Sequence, residues 1–192
     1  MTELNLEQLQ YIPIINYVAN KSDLDRLTES FESEDVIIDS WLRSLSDAYE
    51  HHIYGLVSTT LIMLGDKLIG FYAARVGELE AEDEEVKKLK GETYIPSVEL
   101  VYFAMHKDYA RKGIGTVVIQ DLIGDLIGVN SYAAIRYLFC WSVIKIETMS
   151  FYKKNGFKMM KKQKNNTRLM RFEIPDARDI VNISEFSDDF PL

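Results

Sequence analysis

The stretch Glu99-Leu-Val-Tyr-Phe-Ala-Met-His-Lys-Asp-Tyr-Ala-Arg-Lys-Gly-Ile-Gly-Thr116 decides the fold, because it predicts a strand, a short basic turn and then a helix. A helix N-terminus offers unpaired backbone N–H groups and the positive end of the helix dipole, which together bind phosphate. Glycine has no Cβ, so the main chain can approach such an anion closely. The stretch therefore predicts a seat for a phosphate-bearing ligand, although a tight strand-to-helix turn alone would also use these glycines.

Alternating and helical patterns extend on both sides of this stretch and predict a mixed α/β domain in the order β-α-α-β-β-β-α-β-α-β-β. The predicted strands are residues 9–17, 56–64, 67–76, 94–105, 134–141, 157–162 and 167–174. The predicted helices start at Ser22 and Ser33 and then cover residues 113–129 and 144–155. The pattern predicts one domain over residues 1–174, followed by an acidic tail at residues 175–192.

Composition predicts an ordinary globular protein of the cytoplasm. Of the 192 residues, 47% are hydrophobic and 27% are charged. No apolar run reaches the roughly 18 residues of a transmembrane helix, and no secretory signal is visible, so we expect no membrane association. The chain has one cysteine, Cys140, which excludes an internal disulfide and suits a reducing compartment. Cys140 lies in a strand-like apolar run, which favours a buried packing residue over a nucleophile.

The formal net charge of −8 predicts a cationic partner. Residues 78–85 hold six carboxylates, which suit either a solvated loop or short helix, or an acidic rim that attracts a protonated amine. We expect no lysine- or arginine-rich stripe to offset the acidic total, so nucleic acid is not an expected partner. No group of Cys, His and Asp has the spacing of a metal site, and no metal is expected.

Two motifs resemble those of the GNAT family of acetyl-CoA-dependent N-acetyltransferases. Gly113-Ile114-Gly115 match the glycines of the family's pyrophosphate signature, while Ala110 stands where the family has Gln or Arg. About forty residues later, Phe151-Tyr-Lys-Lys-Asn-Gly-Phe157 matches the second signature. The family often has Asn and Ala seven and four residues before the tyrosine, and Lys145 and Thr148 stand in those slots.

The resemblance implies an acyl-CoA N-acyltransferase fold with splayed central strands, and acetyl-CoA as the cosubstrate. Its pantetheine arm would pair with the strand end formed by Phe103, Ala104 and Met105. Its pyrophosphate would lie on the N–H groups of the following turn. The implied cosubstrate-binding residues after the strand are Arg111, Lys112, Gly113, Ile114, Gly115, Thr116 and, in the Asn slot, Lys145.

The resemblance also implies the catalytic groups. Tyr152 stands where the family commonly has a tyrosine that protonates the departing CoA thiolate. Glu99 lies early in the strand, where some relatives carry a glutamate that deprotonates the amine directly or through water. The three histidines, His51, His52 and His106, are alternative bases. Transfer is expected to be direct, with Cys140 too internal to carry the acyl group.

Three functions remain open from the sequence. The first is acetylation of a cationic small-molecule or protein amine. The second is acetylation of aminoacyl-tRNA, since Phe31, Asp39-Ser-Trp-Leu-Arg43 and Lys67-Leu-Ile-Gly-Phe-Tyr72 look like the GNAT subgroup that contains tRNA-acetylating toxins. The third is a catalytically quiet CoA-binding regulator, which the departures at Ala110 and Lys145 allow. A homodimer through the apolar first strand is a further expectation.

Overall fold

A computed structural model describes residues 8–175. The first half contains strand β1 (Leu9–Pro13), helices α1 (Lys21–Thr28), α2 (Val36–Arg43) and α3 (Glu50–Ile53), and strands β2 (Ser58–Leu64) and β3 (Lys67–Glu80). The second half contains α4 (Asp83–Lys88), β4 (Tyr94–Met105), α5 (Ile114–Val129), β5 (Tyr137–Val143), α6 (Ile146–Lys154), β6 (Lys158–Lys164) and β7 (Thr167–Glu173). This order confirms the mixed α/β fold class.

Local chemistry explains where three elements depart from the predicted bounds. The first strand ends at Pro13, since proline lacks the N–H that a longer ladder would need, and a 3-10 turn follows over Ile14–Asn16. The second predicted helix divides at Ser44, where an extended residue separates α2 from a π-helical turn over Leu45–Tyr49. The acidic segment continues β3 and then opens α4 with a capping box between Glu82 and Glu85.

The seven strands form one mixed sheet in the order β1-β2-β3-β4-β5-β7-β6. The β4–β5 pair is parallel and its register joins Ser97–Tyr137, Val98–Leu138 and Glu99–Phe139, where it ends. β5 pairs with β7 along its whole length, from Tyr137 to Val143. The early end of the β4–β5 register agrees with the splayed central strands of this fold class.

Contacts divide the chain into two compact units, and β3 and β4 run through both. The first unit comprises Met1–Arg75 and Leu100–Gly115; its core includes Leu24, Phe31, Leu42 and Phe71, all at most 1% exposed. The second unit comprises Val76–Glu99 and Thr116–Leu192, with buried Leu79, Ile95, Phe139 and Leu169 in one cluster. Among residues 8–175, no helix is long and apolar enough to cross a membrane.

Candidate active site

The glycine turn before α5 contains two residues in the left-handed backbone conformation. Arg111 and Gly113 both have positive φ, at 58° and 83°. A Cβ built on Gly113 meets no heavy atom within 4 Å, so the space in front of the turn is open. Within residues 8–175, no acceptor takes a hydrogen bond from the N–H groups of Gly113 to Gly115 outside the helix itself. The helix that follows has 16 residues, long enough for a full dipole at its start.

The end of β4 is held tightly against β3 inside the first unit. The N–H of His106 donates to the carbonyl of Ile69 at 2.8 Å. A Cβ on Gly70 would lie 2.9 Å from the carbonyl oxygen of Ala104 and 2.6 Å from Sδ of Met105. Ala104 is buried, whereas Phe103 and Met105 are half-buried. Only glycine at position 70 therefore permits this approach, which positions the strand end that leads into the glycine turn.

The two cationic side chains of the turn contact different partners. Arg111 forms an ion pair with Glu34, and both side chains are exposed. Nζ of Lys112 lies 5.7 Å from the ring centroid of Tyr109. Both charges stay at the surface beside the turn, where a phosphate can attract them.

The second signature folds as a Schellman cap on α6. Gly156 has φ 83°, its N–H donates to the carbonyl of Lys153 at 3.0 Å, and the N–H of Phe157 donates to that of Tyr152 at 3.0 Å. The rings of Phe157 and Tyr152 lie 5.2 Å apart, which supplies the hydrophobic contact of the motif. The Gly-Phe pair therefore positions Tyr152, and Gly156 is the left-handed residue of the cap.

Tyr152 is 7% exposed and forms a hydrogen bond with the thiol of Cys140. Burial raises the pKa of Tyr152 well above its usual value, and the neighbouring Cys140 raises it further. Burial likewise raises the pKa of Cys140 to about 12. Both groups therefore hold their protons at neutral pH, as an acid must before it acts.

Glu99 lies at the last paired position between β4 and β5, on the opposite face of the sheet from Tyr152. A Cβ on Gly77 would lie 4.0 Å from Cβ of Glu99 and 3.6 Å from the Phe139 ring, so these three share one face. Side chains alternate along a strand, so Cys140, the residue after Phe139, points to the other face, where it meets Tyr152. The acid and base candidates thus flank the end of one ladder, from opposite sides.

Sequence reasoning missed the role of Asn155, which is 3% exposed. Its Nδ2 donates to the carbonyl of Phe151 at 2.9 Å and lies 3.5 Å from Oγ1 of Thr116 in the first turn of α5. Its Oδ1 is buried without a partner among residues 8–175. Asn155 therefore connects the second signature to the helix start of the first, and it offers a buried acceptor beside that helix. The Asn-Gly pair at the helix end was its only signal.

Of the remaining candidates, His52 and His106 have structural partners. The ring of His106 bonds the Ser30 carbonyl through Nε2 at 2.9 Å and accepts from the Asp108 N–H at 3.1 Å. Nδ1 of His52 accepts from the Thr59 N–H at 2.9 Å. His51 is half-buried on α3. Lys145 is exposed at the N-cap of α6 and makes no side-chain cap hydrogen bond. No group of ligating side chains within residues 8–175 could hold a metal ion.

Part of the acidic segment is used inside the second unit. Glu80 pairs with Lys162 at 2.9 Å, and Glu85 pairs with Arg171 at 2.9 Å. Burial alone would raise the pKa of Glu85, but hydrogen bonds from Arg171 and Tyr137 outweigh it and lower the pKa to about 2. These carboxylates anchor the β6–β7 hairpin.

The expectation that no basic stripe offsets the acidic total is wrong. Residues 145–173 contain nine lysines and arginines against two glutamates, a formal charge of +7, and the rest of the chain carries −15. Whole-chain charge hid this because it averages two regions of opposite sign.

The sequence profile of the Acetyltransferase (GNAT) family matches residues 21–157, most of the chain. The chain belongs to the GNAT family. As a GNAT protein it is an acetyl-CoA-dependent N-acetyltransferase, and acetyl-CoA is its cosubstrate. A search of curated proteins found no matching relative.

Solved structures of similar fold are bacterial GNAT proteins at low sequence identity. A tyrosine-to-phenylalanine mutant of KacT is 18% identical with a TM-score of 0.70, covering 92% of this chain and 99% of that one. AtaT complexed with acetyl-methionyl-tRNAfMet is 16% identical with a TM-score of 0.70 and the same coverage. An AtaT mutant toxin bound to the C-terminus of the antitoxin AtaR and acetyl-CoA is 14% identical with a TM-score of 0.67, covering 91% and 97%. At these identities the similarity shows the shared fold.

Proposed function

We propose that this GNAT protein transfers the acetyl group directly from acetyl-CoA to an aliphatic amine, with Tyr152 as the general acid and Glu99 as the general base. The observation that carries the proposal is the position of both groups at the end of the β4–β5 ladder. Acetyl-CoA supplies the acetyl group as a thioester when it is bound. The chain supplies a phosphate seat, an acid and a base.

The phosphate seat is the turn from Arg111 to Thr116. Its support is the open space at Gly113, the helix start behind it, and the exposed cations Arg111 and Lys112. Thr116 adds a hydroxyl that Asn155 orients. The backbone of Phe103, Ala104 and Met105 directs the pantetheine arm, and Lys145 lies at the start of α6, in the slot where relatives have Asn.

The proposed proton transfers balance. Glu99 takes a proton from the ammonium group of the acceptor, either directly or through one bridging water. The amine that results attacks the thioester carbonyl. The carbon–sulfur bond breaks and the phenol of Tyr152 gives its proton to the departing sulfur. The nitrogen that has bonded to the acetyl carbon then loses its second proton, which restores the phenol of Tyr152, and Glu99 releases the first proton to water. The raised pKa of Tyr152 keeps this proton in place until the sulfur develops negative charge.

The low reactivity of the Cys140 thiol supports direct transfer of the acetyl group from acetyl-CoA to the amine. A thiol must lose its proton before it can accept an acetyl group, and the pKa of Cys140 is about 12. It is also 3% exposed. The thiol therefore serves as a partner for Tyr152 and forms no acetyl-enzyme.

The first acceptor class is a cationic small-molecule or protein amine, which the net charge of −8 supports. This support is weaker than composition indicated, because Glu80 and Glu85 of the acidic segment are engaged with Lys162 and Arg171. The exposed carboxylates Glu78, Glu82, Asp83 and Glu84 remain to form an acidic rim.

The second acceptor class is the amine of an aminoacyl-tRNA. One specific observation favours it: the charge of +7 over residues 145–173, since electrostatic attraction beyond about 8 Å is screened at physiological salt and local charge decides the contact. The fold similarity to AtaT in complex with acetyl-methionyl-tRNAfMet agrees with this class.

A panel of acceptors tests the proposal. CoA thiol release is measured with spermidine, an aminoglycoside, a lysine-containing peptide and aminoacyl-tRNA, beside a thermal-shift titration with acetyl-CoA. We expect stabilisation by acetyl-CoA and thiol release with at least one aliphatic amine. Stabilisation without thiol release from any acceptor would contradict the catalytic proposal and favour a CoA-binding regulator.

A further inference from the structure

Two cations at the glycine turn are paired with carboxylates from another part of the first unit. The segment between α1 and α2, which we call the α1–α2 loop, comprises residues 29–35. Its Glu34 forms an ion pair with the guanidinium of Arg111, and its Glu32 forms one with Lys107, just after β4. All four residues belong to the first unit. A carboxylate of the chain therefore occupies the arginine of the proposed phosphate seat.

Hydrogen bonds to the loop backbone keep Glu34 beside the turn. The N–H of Lys107 donates to the carbonyl of Glu32 at 2.8 Å. The N–H of Ser33 donates to both carboxylate oxygens of Asp39, at 3.2 and 3.0 Å, and Asp39 is 3% exposed. Because these bonds fix the two residues before Glu34, its carboxylate can leave Arg111 by a rotation of the side chain, while the loop stays in place.

The backbone at Arg111 has a conformation that glycine adopts more easily. Its φ of 58° lies in the left-handed region, where a Cβ causes strain. The side chain that this strained position carries is well suited to anions, since a guanidinium binds carboxylate and phosphate through the same paired N–H donors. A carboxylate and a phosphate therefore compete for one set of donors at Arg111.

We propose that Glu34 is an affinity-determining residue for acetyl-CoA: its carboxylate occupies Arg111 until a phosphate of the cosubstrate displaces it. This inference rests on the proposed phosphate seat and names a residue that regulates it. Two negative charges at one guanidinium repel each other, so the carboxylate leaves when the phosphate arrives. The Arg111 and Glu34 side chains are 73% and 60% exposed, and an ion pair so exposed to solvent is weak enough to be displaced.

The competition has a predictable size. An exposed ion pair typically has an equilibrium constant for formation of about 1.4–5. Arg111 is then free in only about one sixth to two fifths of the molecules, and the apparent affinity falls by that fraction. The Kd for acetyl-CoA is therefore about two- to sixfold higher than it would be with an unpaired Arg111.

A double-mutant cycle on the full chain tests the inference. The variants are E34Q, R111Q and E34Q/R111Q, and the Kd for acetyl-CoA is measured by isothermal titration calorimetry across a KCl series. The matched control, E29Q, removes the same charge from an exposed residue of the same loop. Urea unfolding of every variant verifies that the fold is kept.

We expect E34Q to bind acetyl-CoA about two- to sixfold more tightly than wild type at low salt, because Arg111 loses its competitor. The gain should shrink as KCl is added, since salt screens the ion pair that is being removed. R111Q should bind acetyl-CoA more weakly than wild type. In the R111Q background E34Q should bring no gain beyond that of E29Q, which should keep nearly the wild-type Kd.

Four results would overturn the inference. An unchanged Kd in E34Q would mean that the carboxylate does not compete, and an equal gain in E29Q would assign the effect to net charge alone. An equal gain with and without Arg111 would place the competition at another cation. Weaker binding by E34Q would mean that Glu34 orients the guanidinium toward the phosphate.

The proposed function fails by different results. Absence of thiol release from every amine would contradict acetyl transfer and would leave all the Kd values measurable. An acetyl-CoA thermal shift that persists in Gly113→Glu would contradict the phosphate seat, whereas the competition is read from the E34Q gain and its dependence on Arg111.

Discussion

At the residue scale, the proposed mechanism depends on a buried phenol that keeps its proton. Tyr152 owes this to burial against Cys140 and to the ring of Phe157.

Tyr152→Phe should lower kcat by about 10²–10⁴-fold with the KM for acetyl-CoA nearly unchanged, because the ring stays and only the proton donor is lost. Thiol release at saturating acetyl-CoA measures it. The control is Tyr132→Phe, because Tyr132 is 92% exposed, and this variant should keep the wild-type kcat. Full turnover in Tyr152→Phe would remove the acid from the mechanism.

Gly113→Glu should abolish stabilisation by acetyl-CoA, since a carboxylate then fills the phosphate seat and repels the pyrophosphate. Gly55→Glu is a close control, because Gly55 also has positive φ, at 66°, and open space around its Cβ. Both variants carry similar backbone strain, of about 1–2 kcal/mol. Only Gly113→Glu should lose the acetyl-CoA thermal shift; equal shifts in the two proteins would place the phosphates elsewhere.

At the element scale, the cap on α6 stabilises the helix end and positions the acid of the proposed mechanism. Its glycine supplies a left-handed residue, its Phe157 packs on the acid candidate, and its Asn155 reaches the start of α5. Within the second unit, the second signature therefore contacts Thr116 in the first turn of α5.

Gly156→Ala should destabilise the fold by about 1–3 kcal/mol, because a Cβ there meets the Phe172 ring at 3.0 Å and the positive φ is strained for alanine. Turnover should fall as Tyr152 loses its position. Gly124→Ala provides the contrast: it lies inside α5 with no atom within 4 Å of the new Cβ, and it should be neutral or slightly stabilising. Urea unfolding and thiol release measure both, and unchanged turnover in Gly156→Ala would argue against positioning by the cap.

At the scale of the whole molecule, charge separates into an acidic majority and a basic stretch at residues 145–173. Within the second unit, Glu85 of the acidic segment forms an ion pair with Arg171 of the basic stretch. The Glu85 side chain is 15% exposed and the Arg171 side chain is 13% exposed. This pair gives stability a defined pH dependence.

The folded pKa of Glu85, about 2, is lower than its usual 4.5, so its contribution is fully present above pH 4.5 and is lost as the pH falls toward 2. Glu85→Gln should therefore reduce the free energy of unfolding at neutral pH by up to about 3 kcal/mol, and the difference from wild type should vanish near pH 2. Urea unfolding across a pH series measures it. Glu84→Gln, at an exposed carboxylate on the same helix, should cause little change. A difference that persists unchanged at pH 2 would contradict the ionic origin.

Local patterns were sufficient for most elements and for both signatures. The strand, turn and helix from Glu99 onward and the glycine at position 156 follow from short-range chemistry: periodicity, caps and glycine turns. The acetyl-CoA cosubstrate was implied by the resemblance of the two signatures to those of the GNAT family. The bounds failed at Pro13 and Ser44, where one residue interrupts an otherwise continuous pattern.

The sequence by itself determined the family, the cosubstrate and the residues on which the site is built, because each is written in a few neighbouring positions. Only the tertiary structure decided which of them meet. It placed Glu99 and Tyr152 on opposite faces of one ladder end, brought Asn155 to Thr116, and paired Glu85 with Arg171. These contacts join residues distant in the chain, and their distances depend on sheet register and helix packing, which no local pattern specifies.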